Sequence, residues 1–294
     1  MKKILSCFLI ILLLTSCKSY EMTNNTYDGN KEIVILYTNT LSSSVKSDEL
    51  YDIVKDSKID CLKETPNVTL VDLGNILDQN NGSYNSSIDS MNSAQYDFAI
   101  LGENDFSNGL AYLSSGIEKA SFKYLMCNVS YNGTKRDIFK KTSPFMVVDY
   151  DGIKVGYIGV EDPSFIEKMP NKFLEGDSTV VNFYNETEEV FYDTVQCSID
   201  KAKDLGAEYI VLLSNLKTNI NNDEDESYYL EDLISSINNV DIVINGNNMN
   251  NSIKESMLKD LDNKDVFVVL NGIDSTALGK IVINNNNITN LAIK

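Results

Sequence analysis

The side chains able to do chemistry collect in short polar segments, each on the heels of an apolar run. They read Thr38-Asn39-Thr40-Leu41-Ser42, Asp72-Leu73-Gly74-Asn75, Gly102-Glu103-Asn104-Asp105-Phe106-Ser107-Asn108-Gly109, Ser214-Asn215-Leu216 and Asn245-Gly246-Asn247-Asn248-Met249. Amides and hydroxyls dominate, with a few carboxylates. The 294 residues include no histidine, so no side chain titrates near neutrality unless its surroundings shift it. Ser-His-Asp and Cys-His catalysis are excluded, and with them histidine-ligated zinc or iron. What remains for a metal is oxygen: Asp72, Asn75, Glu103, Asn104, Asp105, Asn215 and Asn247 could in principle surround a hard cation.

Such loops need strands to hold them. Short apolar runs rich in β-branched residues precede or flank them at Ile33 to Tyr37, Val68 to Val71, Phe98 to Leu101, Tyr209 to Leu213, Val240 to Ile244 and Val266 to Leu270. Helical patterns lie between. The clearest is Glu186 to Leu205, with Asn185 as N-cap, Phe191, Val195, Ile199 and Ala202 on one face, and Gly206 as terminator. Others are expected near Asp48 to Lys55, Ser86 to Ala94, Leu110 to Lys119 and Ser227 to Ile237. Asp151-Gly152, between Met146 to Tyr150 and Ile153 to Ile158, predicts a hairpin with a type I′ turn. Leu278 to Ile283 and Ile288 to Ile293 predict a closing pair of strands. Together these predict an α/β fold with mixed sheets, in which ligands bind beyond the carboxyl ends of the strands.

The N-terminus carries a separate message. Lys2 and Lys3 precede an apolar stretch, Ile4 to Leu14, too short to span a bilayer. Leu14-Thr15-Ser16-Cys17 resembles the lipobox of bacterial lipoproteins, cut before the cysteine. The resemblance implies a signal peptide over 1–16, a fatty acid such as palmitate on Cys17, and a place in the bacterial cell envelope, outside the cytoplasm. The plainer alternative is a secretory signal with an incidental cysteine. Residues 17–31 read as a polar tether and 32–294 as the folded domain. With 25 basic against 43 acidic residues, nucleic acid is not an expected partner; the membrane, through Cys17, is. Cys61, Cys127 and Cys197 allow at most one disulfide, and three buried thiols are the preferred reading.

The five polar segments, in this order, resemble the metal-binding motifs of the 5′-nucleotidase branch of the metallophosphoesterases, and the resemblance implies a four-layer αββα sandwich of two mixed sheets. Thr38, Asn39, Gly74, Gly102, Phe106, Asn108, Gly109, Ser214, Leu216 and Gly246 match its scaffold. The functional positions depart from it. Thr40 and Ser42 stand where the family's first motif has a ligating Asp and His, and Asn75 replaces the bridging Asp of the second. Glu103 stands for a ligating Asn and Asn104 for the catalytic His of the third, Asn215 for the His of the fourth, and Asn247 and Met249 for the two His of the fifth. The family's separate nucleoside-holding domain is not expected within 32–294.

The expectation is therefore a non-catalytic pseudoenzyme, with no cofactor, that binds or scaffolds a protein or small molecule. In this reading the amides fill the old cavity with hydrogen bonds. The alternative is a residual phosphoester hydrolase holding calcium, magnesium or manganese weakly in an all-oxygen site built from Glu103, Asp105, Asp72 and Asn75. Ser43-Ser44-Val45-Lys46 also fits the Ser-x-x-Lys pattern of serine acylases, but it has no Lys-Thr-Gly or Ser-Asp-Asn companion and is read as chance.

Overall fold

The computed structural model describes residues 22–23, 32–39, 47–77, 84–134, 141–219, 228–248, 253–272, 278–284 and 287–293. Cys17, Thr40, Ser42, the Ser43 to Lys46 segment and Met249 lie outside them. In chain order the strands are β1 (Met22–Thr23), β2 (Ile33–Thr38), β3 (Val68–Asp72), β4 (Phe98–Ala99), β5 (Lys123–Leu125), β6 (Ser130–Tyr131), β7 (Thr142–Ser143), β8 (Phe145–Tyr150), β9 (Ile153–Val160), β10 (Leu174–Glu175), β11 (Ser178–Thr179), β12 (Val181–Asn182), β13 (Tyr209–Ser214), β14 (Ile242–Asn248), β15 (Lys254–Lys259), β16 (Asp265–Gly272), β17 (Leu278–Asn284) and β18 (Asn287–Ile293).

Strands that are apolar on both faces set the architecture, because each face needs a covering layer. In β2, Ile33, Ile35 and Tyr37 enter one apolar cluster while Val34 and Leu36 enter another. One seven-stranded sheet runs β18-β17-β2-β3-β4-β5-β7, the other β1-β8-β9-β13-β14-β16-β15. Each has a parallel centre; β17 and β18 are antiparallel additions to the first, β8 and β15 to the second. Between the sheets lie Ile33, Ile35, Tyr37, Val71, Phe98, Tyr157, Val211 and Ile242, with the Phe98 and Tyr157 rings 5.2 Å apart.

Helices cover the two outer faces. Ser47–Glu64, Tyr84–Ser93 and Leu110–Lys119 contribute Val54, Ile88, Met91, Leu113 and Ile117 to the core outside the first sheet. Glu188–Asp204 and Leu230–Ser236 contribute Phe191, Val195, Ile199, Leu233 and Ile234 outside the second. The layers thus run helix, sheet, sheet, helix.

Local signals mostly held. Asp151 and Gly152 have φ of 54° and 93°, the paired positive values of a type I′ turn. The long helix starts later than expected: Thr187, not Asn185, caps it, its hydroxyl accepting from the Val190 amide at 3.2 Å. Asn185 instead lends its carbonyl to the Tyr228 hydroxyl at 3.1 Å. The helix expected near Asp48 to Lys55 runs on to Glu64, and the one expected over Ser227 to Ile237 begins only at Leu230. Met22 and Thr23, inside the expected tether, pair with Val148 and Asp149 at the edge of the second sheet. Cys61, Cys127 and Cys197 are free thiols, and Cys197 is half-buried rather than buried.

Candidate functional site

The carboxyl ends of the two sheets face each other, and asparagine amides join them. The Asn39 amide at the end of β2 donates to the Gly246 carbonyl in β14 at 2.7 Å. The buried Asn215 amide, just past β13, donates to the Leu73 carbonyl past β3. Asn247 donates to the Asn215 carbonyl at 3.1 Å. Ser214 donates to Asn245 at 2.7 Å, and Asn245 in turn to the Leu216 carbonyl at 3.0 Å. Gly246 has no side chain because there is no room: a Cβ there would lie 2.3 Å from the Asn215 Oδ1.

On the first sheet, two carboxylates shape the loops. Asp72 Oδ2 accepts from the Thr38 hydroxyl at 2.6 Å, and its Oδ1 from the Gly74 amide at 2.8 Å. Asp105 Oδ2 accepts from the amides of Asn75 and Gly102, both at 2.8 Å, and its Oδ1 from that of Leu77 at 2.7 Å. Gly74, at φ 88°, lets the loops touch; a Cβ there would meet the Gly102 nitrogen at 2.5 Å. Asn75 sits in the left-handed region at φ 61°, and its Oδ1 accepts from the Asn104 amide at 3.0 Å. Burial pushes the Asp72 carboxyl up to about 7 against its hydrogen bonds, and that of Asp105 up to about 6.

In the all-oxygen site drawn from the sequence, the carboxylates have partners within the protein. Asp72 and Asp105 are buried, and backbone amides and a threonine hydroxyl donate to their oxygens. Glu103 turns to Lys168, with an ion pair of 2.8 Å. Asn104 is exposed, and its backbone carbonyl accepts from the Ser107 amide and hydroxyl. Among the described residues no group of three or more His, Cys, Asp or Glu could hold a metal. The set at Asn75, Glu103, Asn215 and Asn247 does not fit a two-metal centre: its one carboxylate is ion-paired with Lys168, and neutral amides supply little charge to a pair of hard cations.

Further groups at this end had not been singled out. Glu161 and Asp162 follow β9 directly and are buried. Glu161 Oε1 accepts from the Leu101 amide at 2.8 Å, tying the end of β4 to that of β9, and Asn128 brackets the Glu161 backbone on both sides. Glu161 Oε2, Asp162 Oδ2 and Asn215 Oδ1 have no hydrogen-bond partner among the described residues. Burial holds both carboxyls above their ordinary range. A charged pair placed straight after an apolar run was the available sequence signal. Nothing in the sequence marked Lys168 as the partner of Glu103.

Helix, sheet, sheet, helix layers with polar loops at the strand ends are the metallophosphoesterase type of sandwich, and comparison with known proteins agrees. No family model matches the chain. It is similar to a 2′,3′-cyclic-nucleotide 2′-phosphodiesterase/3′-nucleotidase of Haemophilus influenzae, 28% identical over 173 residues, 52% of this chain and 24% of that protein. It is also similar to the trifunctional nucleotide phosphoesterase protein YfkN of Bacillus subtilis, 28% identical over 208 residues, 63% of this chain and 14% of that protein. The chain thus spans less than a quarter of the length of either relative. Among solved structures, a 5′-nucleotidase precursor from Thermus thermophilus superposes with a TM-score of 0.66 at 16% identity, over 89% of this chain and 54% of that one. The calcineurin-like phosphoesterase YfkN of Bacillus subtilis gives 0.63 at 20% identity, over 89% and 90%. The chain has the fold of the calcineurin-like 5′-nucleotidases, and its sequence relatives are nucleotide phosphoesterases.

Proposed function

We propose that this protein is an envelope lipoprotein, anchored through Cys17, whose phosphoesterase-type domain binds or scaffolds without catalysis. The observation that carries the reading is the use of the site's polar side chains inside the protein: the Asn215 and Asn247 amides donate to backbone carbonyls, Asn75 and Asp105 accept from backbone amides, and Glu103 pairs with Lys168. In the metal-dependent phosphoesterases, bound metals polarise the phosphoryl group and a general acid protonates the leaving oxygen. Asn104 cannot serve as that acid, because an amide donates a hydrogen bond but yields no proton near neutrality. Loss of a general acid alone costs about 10²–10⁴ in rate. Among the described residues no helix is long and apolar enough to cross a membrane, and the proposed anchor supplies the membrane attachment instead.

The test has two arms. Purified protein is assayed on a phosphomonoester and a phosphodiester with manganese, calcium or magnesium, alongside metal analysis; background rates are expected. Metal-dependent turnover that vanishes in Glu103→Gln would overturn the non-catalytic reading. Cells fed a labelled fatty acid should label the wild type and not Cys17→Ala, and a Cys17→Ala protein that stays with the membrane would overturn the anchor.

A further inference from the structure

We propose that the Glu161 carboxyl is a proton-operated clamp between the two sheets: with its proton it joins the Leu101 amide of the first sheet to the Asn215 amide of the second, and without it the joint opens at the candidate site. The register of two strands places the groups. β9 and β13 run parallel with Val160 beside Ser214, so Glu161 and Asn215, one residue further along each chain, stand about 5 Å apart, one strand spacing. Side-chain alternation turns both toward the other sheet, as it turns Tyr157 and Leu213 on the same strands.

Each of these side chains reaches across to the first sheet with one polar atom. Glu161 Oε1 accepts from the Leu101 amide at 2.8 Å, and the Asn215 amide donates to the Leu73 carbonyl. Leu73 and Leu101 lie in touching loops, since a Cβ on Gly74 would meet the Leu101 carbonyl carbon at 2.8 Å. The second oxygens, Glu161 Oε2 and Asn215 Oδ1, are buried and have no hydrogen-bond partner among the described residues. Two acceptors on neighbouring strands repel, whereas a proton on the carboxyl makes one of them a donor and satisfies both.

The surroundings favour the neutral acid. Asp105, in the loop after β4, and Asp162, next along the chain, both act on Glu161, and Glu161 acts on the Cys127 thiol past β5. All three neighbours are acids, and burial works in the same direction, holding the Glu161 carboxyl above its ordinary range. Asn128 brackets the Glu161 backbone with a neutral amide, and the lysines of this region, Lys168 and Lys217, act on Asp162. As pH rises the proton passes to solvent, and a buried carboxylate is left facing an amide oxygen. Water entering between the end of β9 and the Leu101-Gly102 turn relieves this, and that turn leads directly into Glu103 and Asn104. Access to the candidate site is thereby tied to pH: the joint is closed while Glu161 keeps its proton and open once it is lost.

The test follows two signals in the purified full-length protein through a pH titration at constant ionic strength. One is the side-chain carboxyl carbon of Glu161, read by NMR after isotopic labelling of glutamate; the other is hydrogen exchange of the Leu101 amide, corrected for the intrinsic effect of pH. Glu161 should keep its proton at neutral pH and lose it in the alkaline range, with Leu101 exchange rising over the same interval about tenfold more than in Glu161→Gln. The Gln amide donates to Asn215 at every pH while its oxygen still accepts from Leu101, and the variant keeps Asp72 and Asp105, so the difference between the two proteins belongs to Glu161. A Glu161 already ionised at neutral pH, or Leu101 exchange that rises equally in both proteins, overturns the clamp. Should the Gln variant not fold, the wild type decides alone: coincident midpoints for the two signals support the clamp and separate ones overturn it.

Discussion

Raising the pH should weaken this domain, because carboxyl groups are buried at the strand ends. Burial holds the Asp72 carboxyl up at about 7 and that of Asp105 at about 6. Both folded values lie above the unfolded carboxylate value, so the folded state keeps protons that the unfolded chain has released. The stabilisation is complete below the unfolded value and is lost as pH rises through the folded ones. At 1.36 kcal/mol per unit, going from about pH 5 to about pH 8 removes about 3 kcal/mol through Asp72 and about 1 kcal/mol through Asp105. Glu161, held well above its ordinary range, acts in the same direction. For a domain of this size the loss corresponds to a fall in Tm of about 10 °C. Asp72→Asn supplies the control. Its amide keeps an oxygen for the Gly74 amide and can donate to Thr38, whose hydroxyl can then donate to Tyr96, 2.8 Å away. With no charge to bury, the variant should be about 2 kcal/mol more stable than the wild type near pH 8, with a flatter profile. Calorimetry and urea unfolding at constant ionic strength measure both. A wild-type Tm that is level or rising over this range, or an Asn variant destabilised equally at both ends of it, refutes the reasoning.

Asp105→Ala removes the acceptor of three backbone amides, two of them in fully buried bonds, and should cost about 3 kcal/mol net in urea unfolding near neutral pH, after allowance for the charge that no longer needs burying. A loss below 1 kcal/mol would mean that the loops do not depend on this carboxylate. Gly74→Ala forces a Cβ to within 2.5 Å of the Gly102 nitrogen at a positive φ and should cost at least about 2 kcal/mol; an unchanged midpoint would show that the two loops can separate freely. The amide-laced site predicts the same melting temperature with and without a chelator, and a fall of many degrees on adding one would place a structural metal in the protein.

Much of the fold was legible because buried strands and amphipathic helices are written locally. The apolar runs of β2, β3, β13 and β16 and the Asp151-Gly152 turn stood out against polar neighbours. β15 did not, because its residues are mostly exposed along an edge and carry no alternation to read. The helix cap moved from Asn185 to Thr187 because either residue type suits the position, and the surrounding packing selects between them.

At the site, the sequence by itself determined that the chain has no histidine and that its polar segments carry mostly amides and hydroxyls, and this alone set the expectation of a non-catalytic site. Only the tertiary structure decided what those residues do instead. The bonds from Asn39 to Gly246 and from Asn215 to Leu73 join positions 207 and 142 residues apart, and the Glu103 to Lys168 pair spans 65. A side chain's type states how many hydrogen bonds it can make, but its partner is chosen by which strand ends the two sheets bring together. That pairing belongs to the packed sandwich, not to any local stretch of chain.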